Sequence, residues 1–172
     1  MLSNATRTTT QIQQVGGLRA LIPSRYFFSN IDALLNQGFD IWGGLVNSFV
    51  IAVSSTLLCV YFSALTAYGF VGYRFRFQKV LFSILLATML IPGQLGMIGW
   101  YQLVVDLRMY DTWVPLILPS VASATTVFFL KQYLEATYSK DLVDAARIDG
   151  SREFMTFNRI ILPISAPALA TM

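Results

Sequence analysis

The amino-acid sequence predicts an all-α, polytopic membrane protein, and three observations carry that prediction. Of its 172 residues, 55% are hydrophobic and only 12% charged, whereas an ordinary soluble domain is about 25% charged. No Asp, Glu, Lys or Arg occurs from Ile41 to Tyr73, from Val80 to Val105, or from Thr112 to Leu130. Each gap is of membrane length, because a hydrocarbon core about 30 Å thick takes about 20 apolar residues in a helix. The charges that remain are sorted by segment, as a membrane topology requires. Buried helices of a large soluble protein are the competing reading, and three charge-free runs in succession argue against it.

The elements follow in order. Residues 1–44 form an extracytoplasmic N-terminal segment, and residues 45–131 hold three transmembrane helices near 45–69, 80–104 and 113–131. Residues 132–163 form a cytoplasmic loop, and 164–172 open a further span. Orientation comes from the basic residues. Arg74, Arg76 and Lys79 crowd the first link, and Lys131, Lys140, Arg147, Arg152 and Arg159 follow the third span. Between the second and third spans only Arg108 occurs, flanked by Asp106 and Asp111. The positive-inside tendency puts the first link and everything after Lys131 in the cytoplasm.

That orientation leaves the N-terminal segment outside, although residues 1–20 contain no apolar run able to serve as a signal peptide. The expectation is a preceding helix that lies beyond this sequence; the alternative is translocation of a short polar tail with Arg7, Arg19 and Arg25. The apolar run Ile160–Ala170 raises the same expectation at the other end, so the chain reads as an apparent fragment.

Several function classes fall away. Histidine is absent and Cys59 is the sole cysteine, which removes the usual zinc, haem and disulfide frameworks and leaves no metal or catalytic residue to nominate. The net charge of +3 follows the loops and forms no basic face interleaved with aromatics, so no nucleic-acid partner is expected. The spans carry no Asp, Glu or His, which disfavours ion-coupled transport. Within the second span, Pro92 beside Gly93 and Gln94 predicts a kink or local unwinding. Irregular backbone at membrane depth is tolerated beside protein or a watery cavity. Asn47, Thr88, Pro92 and Gln94 are therefore the candidate pathway-lining residues, with close helix packing as their alternative use. Pro115 falls in the first turn of the third span after Asp111 or Thr112 as cap.

The cytoplasmic loop reads as two short helices joined at a glycine. Ser139 caps the first, Asp141 favours its positive end, and Leu142, Ala145, Ala146 and Asp149 share one side. Gly150 suits the left-handed conformation that stops the helix, and Ser151 can start the next. Phe154, Phe157 and Ile161 form an apolar stripe, and Pro163 turns the chain into the membrane.

On these residues the sequence resembles the permease subunits of binding-protein-dependent ABC importers, whose signature is Glu-Ala-Ala, three residues, Gly, nine residues, then Ile-x-Leu-Pro. Asp144-Ala145-Ala146, Gly150 and Ile160-Ile161-Leu162-Pro163 reproduce that spacing with Asp in place of Glu. Asn47-Ser48, Ala67-Tyr68-Gly69-Phe70, Tyr73–Phe77 and Ala87–Pro92 extend the likeness, which is closest to the carbohydrate-uptake branch with maltose-type permeases.

The resemblance implies a type I ABC importer permease fold in the plasma (inner) membrane, the present spans being the second, third and fourth. It implies that the loop is a coupling helix docking on cytoplasmic ABC ATPase subunits, with Asp144, Ala145, Ala146, Arg147, Asp149, Gly150, Leu162 and Pro163 as ATPase-coupling residues. Further implied partners are a second homologous permease subunit, an extracytoplasmic solute-binding protein and membrane lipid. The sequence has no Gly-x-x-x-x-Gly-Lys-Ser/Thr loop, so it is expected to be a transport subunit with no cofactor of its own, ATP being bound by a partner. Sugar or oligosaccharide is the expected solute. The alternatives are glycerol phosphate, peptide, or a non-transporting scaffold that recruits an ATPase.

Overall fold

Apolar length and local capping decide where the helices run. The computed structural model describes residues 4–6, 8, 12–13, 25–36, 38, 40–121 and 123–171, and no strand occurs among them. Much of the 1–44 segment, with Arg7 and Arg19, lies outside the described residues, as does Met172. Two compact units divide the chain, residues 1–48 and 49–172.

In the first unit, helix α1 spans Phe27–Asn36, and Asn30 Nδ2 donates to the Ala5 carbonyl at 2.8 Å. Asp40 then caps the next helix, its Oδ1 accepting the Gly43 N–H at 2.8 Å.

That helix, α2, is the 32-residue run Ile41–Gly72. At 1.5 Å per residue it is about 48 Å long, and it exceeds the expected 45–69 at both ends because the apolar run does too. Within the second unit its buried residues are Ser63, Ala64, Ala67, Tyr68 and Phe70. Small residues on that face allow close packing, while Phe49, Leu57 and Phe62 remain exposed for lipid or another subunit.

The span expected at 80–104 is interrupted where a kink or local unwinding is expected, at Pro92, and the interruption is a full break. Helix α3, Gln78–Met89, ends before Pro92, a 3₁₀ turn covers Gly93–Gly96, and helix α4 covers Met97–Asp106. The two arms diverge by 87°. Pro92 supplies the reason, since it offers no N–H to the Thr88 carbonyl and bars its predecessor from helical geometry; its own ψ is 123°. A break this sharp makes the pair a broken span or a re-entrant segment. Beyond α4, Arg108 at φ 54° closes the helix, with Met109 N–H donating to Val104 and Arg108 N–H to Val105, the Schellman pattern without its usual glycine.

The third run starts with the one-turn helix α5, Val114–Ile117, with Pro115 in its first turn. Trp113 occupies the cap; neither expected capping residue does. Asp111 sits at φ 59°, and Thr112 Oγ1 donates to the Met109 carbonyl at 2.7 Å. Trp100 Nε1 donates to Pro115 O at 3.3 Å, tying α4 to α5. After a 3₁₀ turn at Leu118–Ser120, Ser123 caps helix α6, Ala124–Thr137, by accepting the Thr126 N–H. The helix passes the expected end at 131 because Lys131 is satisfied in place. Its ammonium pairs with Glu135 at 2.6 Å, one turn on, and lies 4.4 Å from the Phe82 ring centroid. Among the described residues, Ile41–Gly72 and Val114–Thr137 are long and apolar enough to cross a membrane, and the bent pair makes a third if both arms belong to one span.

The core of this unit gathers Ala64, Ala67 and Tyr68 of α2, Leu130 and Leu134 of α6, and Val143, Phe157 and Ile161 of the segment that follows. The apolar centre thus lies where the signature segment meets the membrane helices.

Candidate functional site

The signature segment is built by local rules. Helix α7 covers Lys140–Ile148, with Ser139 Oγ accepting the Leu142 N–H at 3.4 Å. Asp141 in the first turn and Arg147 in the last complement the helix dipole. Gly150 follows at φ 81°. Its N–H donates to Arg147 and that of Ser151 to Ala146, a complete Schellman stop. A Cβ at Gly150 would meet nothing within 4 Å, so substitution there meets conformational strain alone. Gly150→Ala is expected to cost about 1 kcal/mol in thermal unfolding of the purified subunit, and an unchanged midpoint would contradict this account of the turn.

Past the glycine, the expectations change in three places. The cap of the next helix, α8 (Glu153–Thr156), is Arg152, not Ser151; Ser151 Oγ instead accepts from Thr156 Oγ1 at 2.9 Å. A π-helical turn, Phe157–Ile161, then runs directly into helix α9, Leu162–Leu169. Pro163 therefore lies within a continuing helical run, directly after the π turn, and does not turn the chain. The apolar stripe is also shorter than expected. Phe157 and Ile161 are buried with Thr156, while Phe154 is 64% exposed.

The alanine pair is split between two faces of α7. Val143 and Ala146 face the core, while Leu142, Ala145, Ile148 and Asp149 are exposed. Ile148 reaches 87% exposure, unusual for a large apolar side chain on a helix whose other face is fixed. Leu162 is half-buried and Pro163 exposed on α9, apart from the outer face of α7.

Charged groups brace the helix. Arg147 Nη1 bonds Asp144 Oδ1 at 3.1 Å, and Arg147 Nε bonds Glu153 Oε1 at 2.8 Å. Glu153 Oε2 accepts from Tyr68 OH at 3.2 Å and from Tyr73 OH. The Arg147 bond, followed by that of Tyr73, holds the Glu153 carboxyl below the usual glutamate range. The same carboxylate holds the Arg147 guanidinium above its ordinary value. Burial, then the Glu153 bond, pushes the Tyr73 phenol up, and burial does so at Tyr138. A depressed carboxyl stabilises the fold fully above the unfolded glutamate value of about 4.3. That contribution is lost as pH falls through the lower folded value. The melting-temperature gap between wild type and Glu153→Gln should therefore narrow on acidification below pH ~4, and a gap that widens would refute the assignment.

Sequence reasoning missed Ile148, Glu153, Tyr68 and Tyr73. Ile148 is adjacent to the signature and legible as an apolar residue off the buried stripe; the other three meet only through tertiary contact. Of the pathway candidates, Thr88, Pro92 and Gln94 lie at the break between α3 and α4. Thr88 Oγ1 turns back to the Leu85 carbonyl at 2.6 Å, and Gln94 is exposed. Asn47 is exposed on α2 and belongs to the first unit.

Comparison with known proteins agrees with this architecture. The chain is 31% identical over 172 residues to the arabinooligosaccharides transport system permease protein AraQ of Bacillus subtilis, covering 100% of this chain and 61% of that protein. It is 31% identical over 166 residues to the AraQ protein of Halalkalibacterium halodurans, covering 96% and 59%. It is 33% identical over 157 residues to the sn-glycerol-3-phosphate transport system permease protein UgpE of Escherichia coli K12, covering 88% and 56%. The chain thus spans about three-fifths of the length of the curated relatives it matches. Residues 59–172 match the model of the binding-protein-dependent transport system inner membrane component, a range that holds the C-terminal part of α2, the broken pair, α6 and the braced signature segment. The apolar helices and that match make this a multi-pass protein of the inner membrane, and the chain belongs to the family of binding-protein-dependent transport system inner membrane components.

Proposed function

We propose that the full-length protein is a membrane permease subunit of an ATP-driven ABC importer for a sugar or oligosaccharide. The observation that carries the reading is α7 itself. One face is locked into the core by Val143 and Ala146, while the other presents Leu142, Ala145 and Ile148 to a partner. A partner of that kind is a cytoplasmic ABC ATPase, with α7 as the coupling helix. In this reading, Ala145 and Asp149 belong to the docking face, Asp144 and Arg147 brace it, and Gly150 sets its exit. Leu162 and Pro163 fix the helix that returns to the membrane. ATP is bound and hydrolysed by the partner, and this subunit contributes no catalytic group or cofactor. A second homologous permease completes the pathway, an extracytoplasmic solute-binding protein delivers the solute, and the exposed apolar residues of α2 meet lipid or neighbouring helices.

The relatives named for arabinooligosaccharide transport favour an oligosaccharide. The likeness to a glycerol-3-phosphate permease supports a second reading, a phosphorylated polyol. Reconstitution of the full-length subunit with its ATPase, paired permease and binding protein separates them. ATP-dependent uptake of labelled arabinooligosaccharide, not diluted by excess glycerol 3-phosphate, is the expected result. Uptake that persists when this subunit is omitted would show a dispensable scaffold instead.

A further inference from the structure

Three donors from two separate stretches converge on one carboxylate. Arg147 Nε, in the last turn of α7, donates to Glu153 Oε1 at 2.8 Å. From the end of α2, Tyr68 OH donates to Oε2 at 3.2 Å, and Tyr73 OH donates to the same oxygen. An ionised carboxylate accepts only, and here both oxygens are taken by donors. The tyrosines are themselves held. Tyr68 is 3% exposed; its ring stacks on Phe157 with centroids 5.8 Å apart and meets Tyr73 edge-on at 5.6 Å. Gly72 leaves no room beside it, since a Cβ there would lie 2.8 Å from Tyr68 Cε2. Arg147 is also held by Asp144, one turn back on the same helix, at 3.1 Å, which fixes the guanidinium on the face of α7 that meets Glu153.

We infer that Glu153 is a positioning residue that clamps the last turn of α7 to the end of membrane helix α2, so that a displacement of α7 reaches α2 as a rigid movement. Between α7 and α8 the chain passes through Gly150, a turn with open space around it that would otherwise absorb such a displacement. The clamp bypasses this turn through side chains. Its role in transport rests on the coupling function proposed above, whereas its role in holding α7 does not.

Two variants of the full-length subunit test it. Glu153→Gln removes the charge, and Tyr68→Phe combined with Tyr73→Phe removes both hydroxyls while keeping the rings, the Arg147 pair and the packing. Spin labels at Lys140→Cys and Thr66→Cys, in a Cys59→Ser background, report the distance between α7 and α2. A narrow distribution in the parent that broadens in both variants is expected; unchanged widths would overturn the inference. In vesicles with the partner subunits, solute moved per ATP hydrolysed should fall about tenfold in both variants, a ratio that loss of folded protein alone does not change. An unchanged ratio would equally overturn it. If the parent assembly imports nothing, the transport reading fails and the distance measurement alone decides the clamp. The phenylalanine pair decides it if Glu153→Gln does not fold.

Discussion

Ala145→Trp is expected to lower ATP-driven uptake by the assembled transporter at least about a hundredfold, corresponding to about 3 kcal/mol at an interface hot spot. Membrane insertion and thermal stability of the subunit should stay within about 0.5 kcal/mol of wild type. The asymmetry follows from where the two adjacent alanines point. Ala145 is exposed beside Leu142 and Ile148, so an indole there projects from the outer face and props a docked partner away. Ala146 is 8% exposed against the core, and Ala146→Trp should fail earlier, in folding, by overpacking. Uptake assays paired with thermal unfolding separate the outcomes; wild-type uptake by Ala145→Trp would remove α7 as the docking helix.

Phe157→Ala should produce the largest loss of stability, about 3–5 kcal/mol, as expected for an aromatic core truncation. The ring is fully buried. It packs edge-on to Tyr61 at 5.6 Å and against Tyr68 at 5.8 Å, so its removal opens a cavity between α2 and the π turn. Tyr61 OH also donates to Asn158 Oδ1 at 3.2 Å, and this bond would be strained by any collapse into the cavity. Phe157→Leu keeps most of the volume and should cost about 1.5 kcal/mol or less. Denaturant unfolding in detergent reads both, and a Phe157→Ala protein as stable as wild type would show that this aromatic cluster does not hold the segment to α2.

These two sites show where the sequence is legible and where it is not. The helical class follows from charge-free runs because the bilayer imposes a length that composition alone reveals. The Ser139 cap and the Gly150 stop follow because each is a backbone requirement met within a few residues. At Pro92 the sequence marks a break, but the 87° between the arms depends on what each arm packs against. The stripe through Phe154 assumes that the whole run Phe154–Ile161 faces the core, but burial begins at Thr156 and Phe157, and Phe154, in the first turn of α8, stays outside. Ala145 and Ala146 are adjacent small residues whose separate faces become plain only once Val143 anchors the helix. The Glu153 cluster is least legible of all, because its tyrosines lie 80 or more residues away in sequence and meet it only when α2 and α8 pack together.

The central claim, that the outer face of α7 meets a cytoplasmic ATPase, is tested most directly by a photoreactive amino acid at position 148 of the full-length subunit in membranes with its partners. Position 129, exposed on α6 within the apolar run, serves as the comparison. The account predicts a crosslink from 148 to the ATPase subunit that changes in yield with ATP, and none from 129. A residue at 148 that labels only lipid, with the ATPase still bound to the complex, would contradict it.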